Sequence, residues 1–168
     1  MMRALAVLAA AALTSCAGYQ LGGVKPASLA RIKTIQVPMF KNDTQHPRAE
    51  TIATSAVASA LAQDGTYKIS TLDKADAILE ARIRRIDYTQ IRGERLDTLR
   101  PLELQNTVSI SWTLMDAKNP GKVLAEGIAV GSSQFFVDAN LQTSRNNALP
   151  DAMERAADNL VSRLANGY

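Results

Sequence analysis

The residues whose types could support chemistry are few in this chain: one cysteine, one histidine and a concentration of arginines between residues 82 and 100. His46 lies in a polar loop before Pro47, with no cysteine or serine motif that it could activate. A solvent-facing loop histidine is therefore the favoured interpretation. The sequence also contains no HExxH motif, no paired cysteines and no glycine-rich phosphate loop, so it predicts no enzyme, metal site or nucleotide cofactor.

Three other candidate residues have structural explanations. Asp73 and Asp76 flank a predicted turn, where aspartate side chains commonly bond to the nearby backbone. Trp112 alternates with polar neighbours in a predicted strand, which indicates core packing rather than ligand stacking. None of these residues predicts a binding site.

The arginine stretch contains six arginines and three acidic residues, in a chain whose formal net charge is +3. A guanidinium group suits phosphate and carboxylate because its planar fork donates two parallel hydrogen bonds. Solvated strand and loop charges explain the same stretch about equally well, so both interpretations stay open. The six are Arg82, Arg84, Arg85, Arg92, Arg95 and Arg100.

Cys16 lies directly after a short apolar segment at the N-terminus. Arg3 supplies a positive charge, and residues 4–13 form an uncharged run of about ten residues, a length typical of a secretory signal. A membrane-spanning helix needs about 20 apolar residues. The segment is therefore interpreted as an export signal.

The sequence Leu13-Thr14-Ser15-Cys16 resembles the bacterial lipoprotein box. That resemblance implies that the Cys16 thiol receives a diacylglycerol, that the chain is cut before Cys16, and that the new amino group is acylated. Several acyl chains would hold the protein to a membrane, because stable anchoring needs more than one. Ala17 rather than aspartate follows Cys16, which under the sorting rule of lipoproteins favours the outer membrane. A buried, unmodified cysteine is the alternative.

These features divide the chain into a lipoprotein signal peptide at residues 1–15, a lipidated N-terminus and flexible tether at residues 16–30, and a single domain at residues 31–168. Three glycines in the tether predict its flexibility. Removal of the signal leaves about 150 residues, which is the size of one domain. With Cys16 acylated, no thiol remains for a disulfide, and export makes nucleic acid a poor candidate partner for the arginines.

The hydrophobic pattern predicts the element order strand, helix, strand, long strand, strand, strand, helix. Each helix has one apolar face, so both must cover the same face of a sheet. The expected fold is α+β: a two-layer sandwich of a mixed, mainly antiparallel four- to five-stranded sheet with two helices on one face. A shift of the apolar phase near Arg84 and Arg85 predicts a β-bulge or a sharp twist of the strand there. The predicted helices span 48–63 and 149–164, the strands 31–40, 67–72, 77–88, 104–116 and 123–136, and the loops include 89–103 and 139–147.

The chain also resembles the LptE family of outer-membrane lipoproteins over nearly all of its mature length. The resemblance is carried by residues 16–21, 32–40, 75–80, 123–124 and 135–136. It implies a periplasm-facing plug inside an LptD-like β-barrel, which assists assembly of the barrel and touches lipopolysaccharide through basic residues. The positions that match those basic residues are Arg92, Arg95 and Arg145.

Two hypotheses about function follow. The leading one is a non-enzymatic outer-membrane lipoprotein subunit of the lipopolysaccharide translocon, with the covalent lipid on Cys16 as its only cofactor. The alternative is a lipoprotein activator of a periplasmic peptidoglycan synthase, because residues 35–42 also resemble the opening strand and loop of that group.

Overall fold

The computed structural model describes residues 25–93, 101–137 and 139–167, so the predictions for Cys16, most of the tether and Arg95 lie outside the described residues. Two α-helices and six strands make up the fold, in the predicted order. Short 3₁₀ turns occur at Ala27–Leu29 and Leu72–Lys74. The helices are α1 (Ala49–Asp64) and α2 (Leu141–Asn166), and the strands are β1 (Thr34–Gln36), β2 (Lys41–Asn42), β3 (Lys68–Ile69), β4 (Ala77–Gly93), β5 (Pro101–Asp116) and β6 (Val123–Phe136).

The strands form one mixed sheet in the order β3-β1-β4-β5-β6, with β2 paired separately to β4. The three short strands run parallel to their neighbours, whereas β4, β5 and β6 form an antiparallel meander. The expected α+β class is confirmed, with six strands instead of four or five. The difference arises because the predicted first strand is divided at Pro38, which has no N–H to donate to a ladder.

The predicted bulge is confirmed in β4. Its pairing with β5 shifts between Ile83 and Arg85, so Arg84 has no residue directly opposite. The extra residue restores the apolar phase beyond it.

Both helices cover the same face of the sheet, as predicted. Its apolar residues, including Leu79, Ile110 and Leu114, are fully buried, and Trp112 is a core residue at 5 % exposure. Helix α2 approaches β6 so closely at Gly131 that an added Cβ would overlap the backbone of Ala152 and Ala156. The opposite face is covered by neither helix, and we call it the open face.

The last helix begins earlier than predicted. Residues 141–147, predicted as loop, are the first two turns of α2, and the Asn140 side chain caps them by accepting from the N–H of Thr143 at 3.2 Å. The helix then continues through Pro150, although proline removes one hydrogen bond of the helical ladder. Packing on β6 outweighs that loss, and it places Arg145 on a helix rather than in a loop.

The described ends of the polar connection predicted at residues 89–103 are strand instead of loop. β4 continues to Gly93, and β5 begins at Pro101. The predicted second strand, in contrast, is reduced to Lys68–Ile69. Pairing with β5 thus extends β4 well beyond its apolar segment.

Candidate functional site

Arg92 lies on the open face near the end of β4. It pairs with Glu103, and the two side chains form an ion pair of 3.6 Å in which Arg92 is 64 % exposed. Arg145 lies on the opposite, helix-covered side of the sheet. The structure therefore does not bring these two predicted ligands together.

The arginines of β4 all have acidic partners. Arg82 and Arg84 share Asp43, which follows β2, and Arg85 pairs with Asp87 at 2.5 Å. Together with the pair of Arg92 and Glu103, these contacts offset the positive charge that the sequence concentrates here. For the described part of the stretch, the structure favours the interpretation as solvated ion pairs.

Arg145 differs from those arginines, because no described acidic residue forms an ion pair with it. Its guanidinium carbon lies 4.6 Å from the centre of the Tyr88 ring, a cation–π contact. Its Nε atom is buried without a hydrogen-bond partner among the described residues. Arg145 thus keeps its charge available for an anion.

Tyr88 is the centre of the group that holds Arg145. The His46 ring lies 5.5 Å from the Tyr88 ring at a tilt of 45°, and the Phe135 ring packs against it edge-on at 6.1 Å. Asn106 lies opposite Tyr88 on β5. We call these five residues the Tyr88 cluster: His46, Tyr88, Asn106, Phe135 and Arg145.

Several polar atoms of the Tyr88 cluster are buried without a partner. Asn106 is fully buried, and neither its amide nitrogen nor its amide oxygen has a hydrogen bond among the described residues. The Tyr88 hydroxyl is also buried without a hydrogen-bond partner among the described residues. Such atoms are costly to leave unpaired, so they mark a place where water or a ligand completes the hydrogen bonding.

The Tyr88 cluster also shifts the pKa values of its own members. Burial lowers the pKa of His46, and the neighbouring charge of Arg145 lowers it further. Burial raises the pKa of Tyr88, against the opposing effect of Arg145. His46 is therefore held neutral next to a fixed cation.

Sequence reasoning missed most of this cluster. The interpretation of His46 as a solvent-facing loop residue is wrong, because the residue is half-buried against Tyr88. Tyr88, Asn106 and Phe135 were not singled out as site residues. The one available signal was Asn106, a polar residue at an inward-facing position of an alternating strand.

Asp76 of the predicted turn has a structural role, as expected, and Asp73 is exposed. Asp76 accepts the backbone N–H groups of Lys33 and Thr34 at 3.0 and 3.1 Å, which lowers its pKa. Across the described ranges, no group of three or more His, Cys, Asp or Glu side chains is placed to hold a metal ion.

Two helices on one face of an open mixed sheet define a two-layer α+β domain, and the Tyr88 cluster lies on its helix-covered side. The sequence model of the LptE lipopolysaccharide-assembly family matches residues 32–164. The chain belongs to this family. Within the described ranges, no helix is long and apolar enough to cross a membrane.

Solved structures share the fold. A protein from Xanthomonas campestris matches with a TM-score of 0.57 at 13% identity, over 85% of this chain and 90% of its own. A minor lipoprotein from Acinetobacter baumannii has a TM-score of 0.52 at 8% identity, with 79% and 92% covered. A candidate lipoprotein from Caulobacter crescentus has a TM-score of 0.50 at 20% identity, with 75% and 87% covered. At these identities the similarity establishes the fold alone. No curated protein matches the sequence.

Proposed function

We propose that this protein is the lipid-anchored LptE-type subunit of the lipopolysaccharide translocon. The family match over residues 32–164 carries the proposal. Residues 1–15 are removed, Cys16 is acylated, and the tether holds the domain at the periplasmic side of the outer membrane. The protein acts by binding and assembly rather than by catalysis.

In this proposal the domain lodges as a plug in an LptD-like β-barrel and assists the assembly of that barrel. The open face of the sheet supports this, because β5 presents a polar row there and the lumens of such barrels are polar. The ion pairs of β4 lie at the same surface and add no large net charge to it. The row comprises Thr107, Ser109, Ser111 and Thr113.

Lipopolysaccharide binds, in the same proposal, through the phosphates of its headgroup. Of the two predicted ligands that the structure describes, Arg145 is the better placed, because no described acidic residue pairs with it and it lies beside unpaired polar atoms of Tyr88 and Asn106. Arg92 would have to exchange Glu103 for the phosphate, so it is a secondary candidate. Arg95 lies outside the described residues and stays a candidate from the resemblance alone.

Identification of the membrane partner tests the proposal most directly. Affinity purification of the full lipidated chain from detergent-solubilised membranes should recover a large outer-membrane barrel, and depletion should lower surface lipopolysaccharide. Recovery of a peptidoglycan synthase in place of the barrel would support the alternative hypothesis. Recovery of neither would contradict both.

Arg92 and Arg95 have a separate test. Arg92→Gln combined with Arg95→Gln should weaken lipopolysaccharide binding with little change in the melting temperature, because an exposed ion pair such as that of Arg92 contributes little to stability. A direct binding assay and thermal unfolding measure the two effects. Unchanged binding would leave these two residues as ordinary surface charges.

A further inference from the structure

Strand β6 is one edge of the sheet, and its backbone polarity can be assigned. The N–H of Val137 donates to the carbonyl of Leu102 at 2.9 Å, and the pairing of β6 with β5 keeps one register from there to Ala125. In an antiparallel pair the residues that bond to the neighbour alternate. The odd-numbered residues of β6 thus bond to β5, and the even-numbered ones direct their N–H and C=O groups away from it.

A second contact agrees with this assignment. The side-chain amide of Asn159 on α2 donates to the carbonyl of Val130 at 3.4 Å, which places that carbonyl on the outer side of β6. The residues whose backbone N–H and C=O groups point away from β5 are Glu126, Ile128, Val130, Ser132, Gln134 and Phe136. Apart from the Val130 carbonyl, which already accepts from Asn159, this row of backbone donors and acceptors is available for another strand.

This edge lacks the usual protection against strand pairing. In natural proteins, charged side chains, proline or a short length usually prevent an edge strand from pairing with another chain. β6 is 14 residues long, and it has no lysine, no proline and a single charged residue, Glu126. On its open face, Ile128, Val130 and Phe136 are 55%, 46% and 67% exposed.

The rest of the sheet perimeter is protected. β3, at the other edge, has only two residues. The distal part of β4, beyond its pairing with β2, carries charges on its exposed side chains: Arg84, Arg85, Asp87 and Arg92. The contrast singles out β6 as the edge available to a partner.

A groove of about 400 Å³ follows the same edge on the helix side. Most of the residues that line the groove have small or uncharged polar side chains. The exceptions are Asp151 and the two phenylalanines at the end of β6. A strand added to β6 would direct every second side chain toward this groove and the others toward the open face. The lining is Ser133, Gln134, Phe135, Phe136, Ser144, Asn147, Ala148 and Asp151.

We propose that β6 binds an extended segment of the barrel partner by strand addition, an inference that rests on the proposed function. The chemistry of the edge defines the segment. Its residues alternate between apolar side chains, which contact Ile128, Val130 and Phe136, and small side chains, which lie toward the groove. Backbone hydrogen bonds supply the attraction, as in other β-strand additions.

A second copy of the chain fits this edge poorly because α2 lies directly over β6. Gly131 is in contact with the α2 backbone, and Asn159 reaches the outer side of the strand. Two β6 strands paired edge to edge would lie about 4.8 Å apart. The two α2 helices above them need about 8–10 Å between their axes. The strand that pairs with β6 must therefore carry no helix of its own. Strands within a closed barrel have no free edge, so an extended segment that flanks the barrel strands is the part of the partner that fits.

The test uses the full lipidated chain co-expressed with the outer-membrane barrel from the same organism. Ser132→Pro with Gln134→Pro removes two outward-facing N–H groups and no bond to β5, whereas Ser132→Ala with Gln134→Ala keeps both groups. The proline pair should recover at least tenfold less barrel than wild type, and the alanine pair should recover as much as wild type. Melting temperatures of the isolated variants verify folding.

A second measurement requires no substitution. In the wild-type complex, hydrogen exchange of the Ser132 and Gln134 amides should slow at least tenfold relative to the free protein. Unchanged exchange at both amides would overturn the proposal even if the proline pair failed to fold.

The other outcomes are distinguishable. Equal recovery of the barrel by the proline pair and wild type would overturn strand addition and leave the proposed function intact. A wild-type chain that recovers no barrel would overturn both. A wild-type dimer in solution that the proline pair separates would show that a second copy occupies the edge, against the proposal.

Discussion

Arg145 shows how one residue acquires binding potential from its surroundings. Its aromatic contact with Tyr88 stabilises the guanidinium by about 0.5–2 kcal/mol and uses none of its N–H donors. No described acidic residue pairs with Arg145, so its guanidinium can donate to an anion. The arginines of β4, in contrast, already pair with carboxylates.

The first prediction concerns Arg145 as a phosphate ligand. Arg145→Gln should weaken lipopolysaccharide binding by about tenfold, because a charge-assisted hydrogen bond contributes about 1.5–3 kcal/mol. Arg155→Gln is the matched control, since Arg155 is on the same helix but pairs with Asp151. A direct binding assay measures both variants, and an equal loss in the two would indicate a general charge effect.

His46 reports on the same substitution, and it is the only histidine of the chain. Arg145→Gln should raise the His46 pKa toward, but not to, the ordinary value of 6.5, because burial is the larger cause of the lowered pKa and persists. Since folding lowers this pKa, the stability contributed by neutral His46 is complete above pH 6.5 and is lost as the pH falls through the folded value. Titration by NMR measures the shift. An unchanged His46 pKa would show that the Arg145 charge does not act on His46.

Asp116 is the residue at which acid should act on stability. The N–H of Lys118, the side chain of Asn119 and the guanidinium of Arg31 together lower its pKa from 3.8 to about 2. Because the folded pKa is the lower one, the stabilisation is present above pH 3.8 and is lost as the pH falls through about 2.

Asp116→Asn should consequently lower the melting temperature at neutral pH, and the difference from wild type should shrink between pH 3.8 and about 2. Asp73→Asn, at an exposed position of the turn before β4, serves as the control. Thermal unfolding across this pH range gives the comparison. A difference that is independent of pH would mean that the carboxylate charge is unimportant.

At the scale of elements, the contact between α2 and β6 depends on the absence of a side chain. Gly131 lets the helix backbone lie directly on the strand, where an added Cβ would be 2.9 Å from the Cα of Ala156 and closer still to neighbouring backbone atoms. The helix cannot relax locally, because its residues on both sides, Met153 and Leu160 among them, are fully buried.

Gly131→Ala should therefore lower the free energy of unfolding by about 3 kcal/mol, at the upper end of the usual cost of overpacking. Gly127→Ala is the internal comparison, because its added Cβ would meet only the Trp112 side chain, at 2.9 Å. That ring can shift more easily than a helix backbone, so we expect a smaller loss. Urea unfolding measures both, and a loss at Gly127 equal to that at Gly131 would contradict the interpretation.

At the scale of the whole molecule, the proposed anchor and the folded domain have separate tasks. A tethered domain meets its membrane partner at a high effective concentration without any new contact. The described core contains no cysteine, so it does not depend on the thiol.

Cys16→Ala should thus mislocalise the protein while leaving its fold unchanged. Membrane fractionation and the melting temperature of the purified domain measure the two effects. Retention of the variant in the outer membrane would show that the barrel, rather than the lipid, holds the protein there. A lowered melting temperature would instead give Cys16 a structural role.

The sequence by itself determined the class of fold, because periodicity is a local property. The three- and four-residue spacing of apolar residues in α1, the alternation from Val108 to Leu114, and the phase shift at Arg84 each depend on side chains within a few residues of one another. These features predicted both helices, the antiparallel pairing of β5 with β6, and the irregularity in β4.

Only the tertiary structure decided where β4 and α2 end and which residues form the site. Arg82 forms an ion pair with Asp43, which is 39 residues earlier in the chain. Tyr88 contacts His46, which lies in a loop, and Arg145, which lies on the last helix. Such contacts depend on strand register and on how α2 lies over β6, and no local pattern encodes either. The charge that the sequence concentrates in one stretch is therefore largely neutralised in the described part of it, whereas Arg145, outside that stretch, has no acidic partner among the described residues.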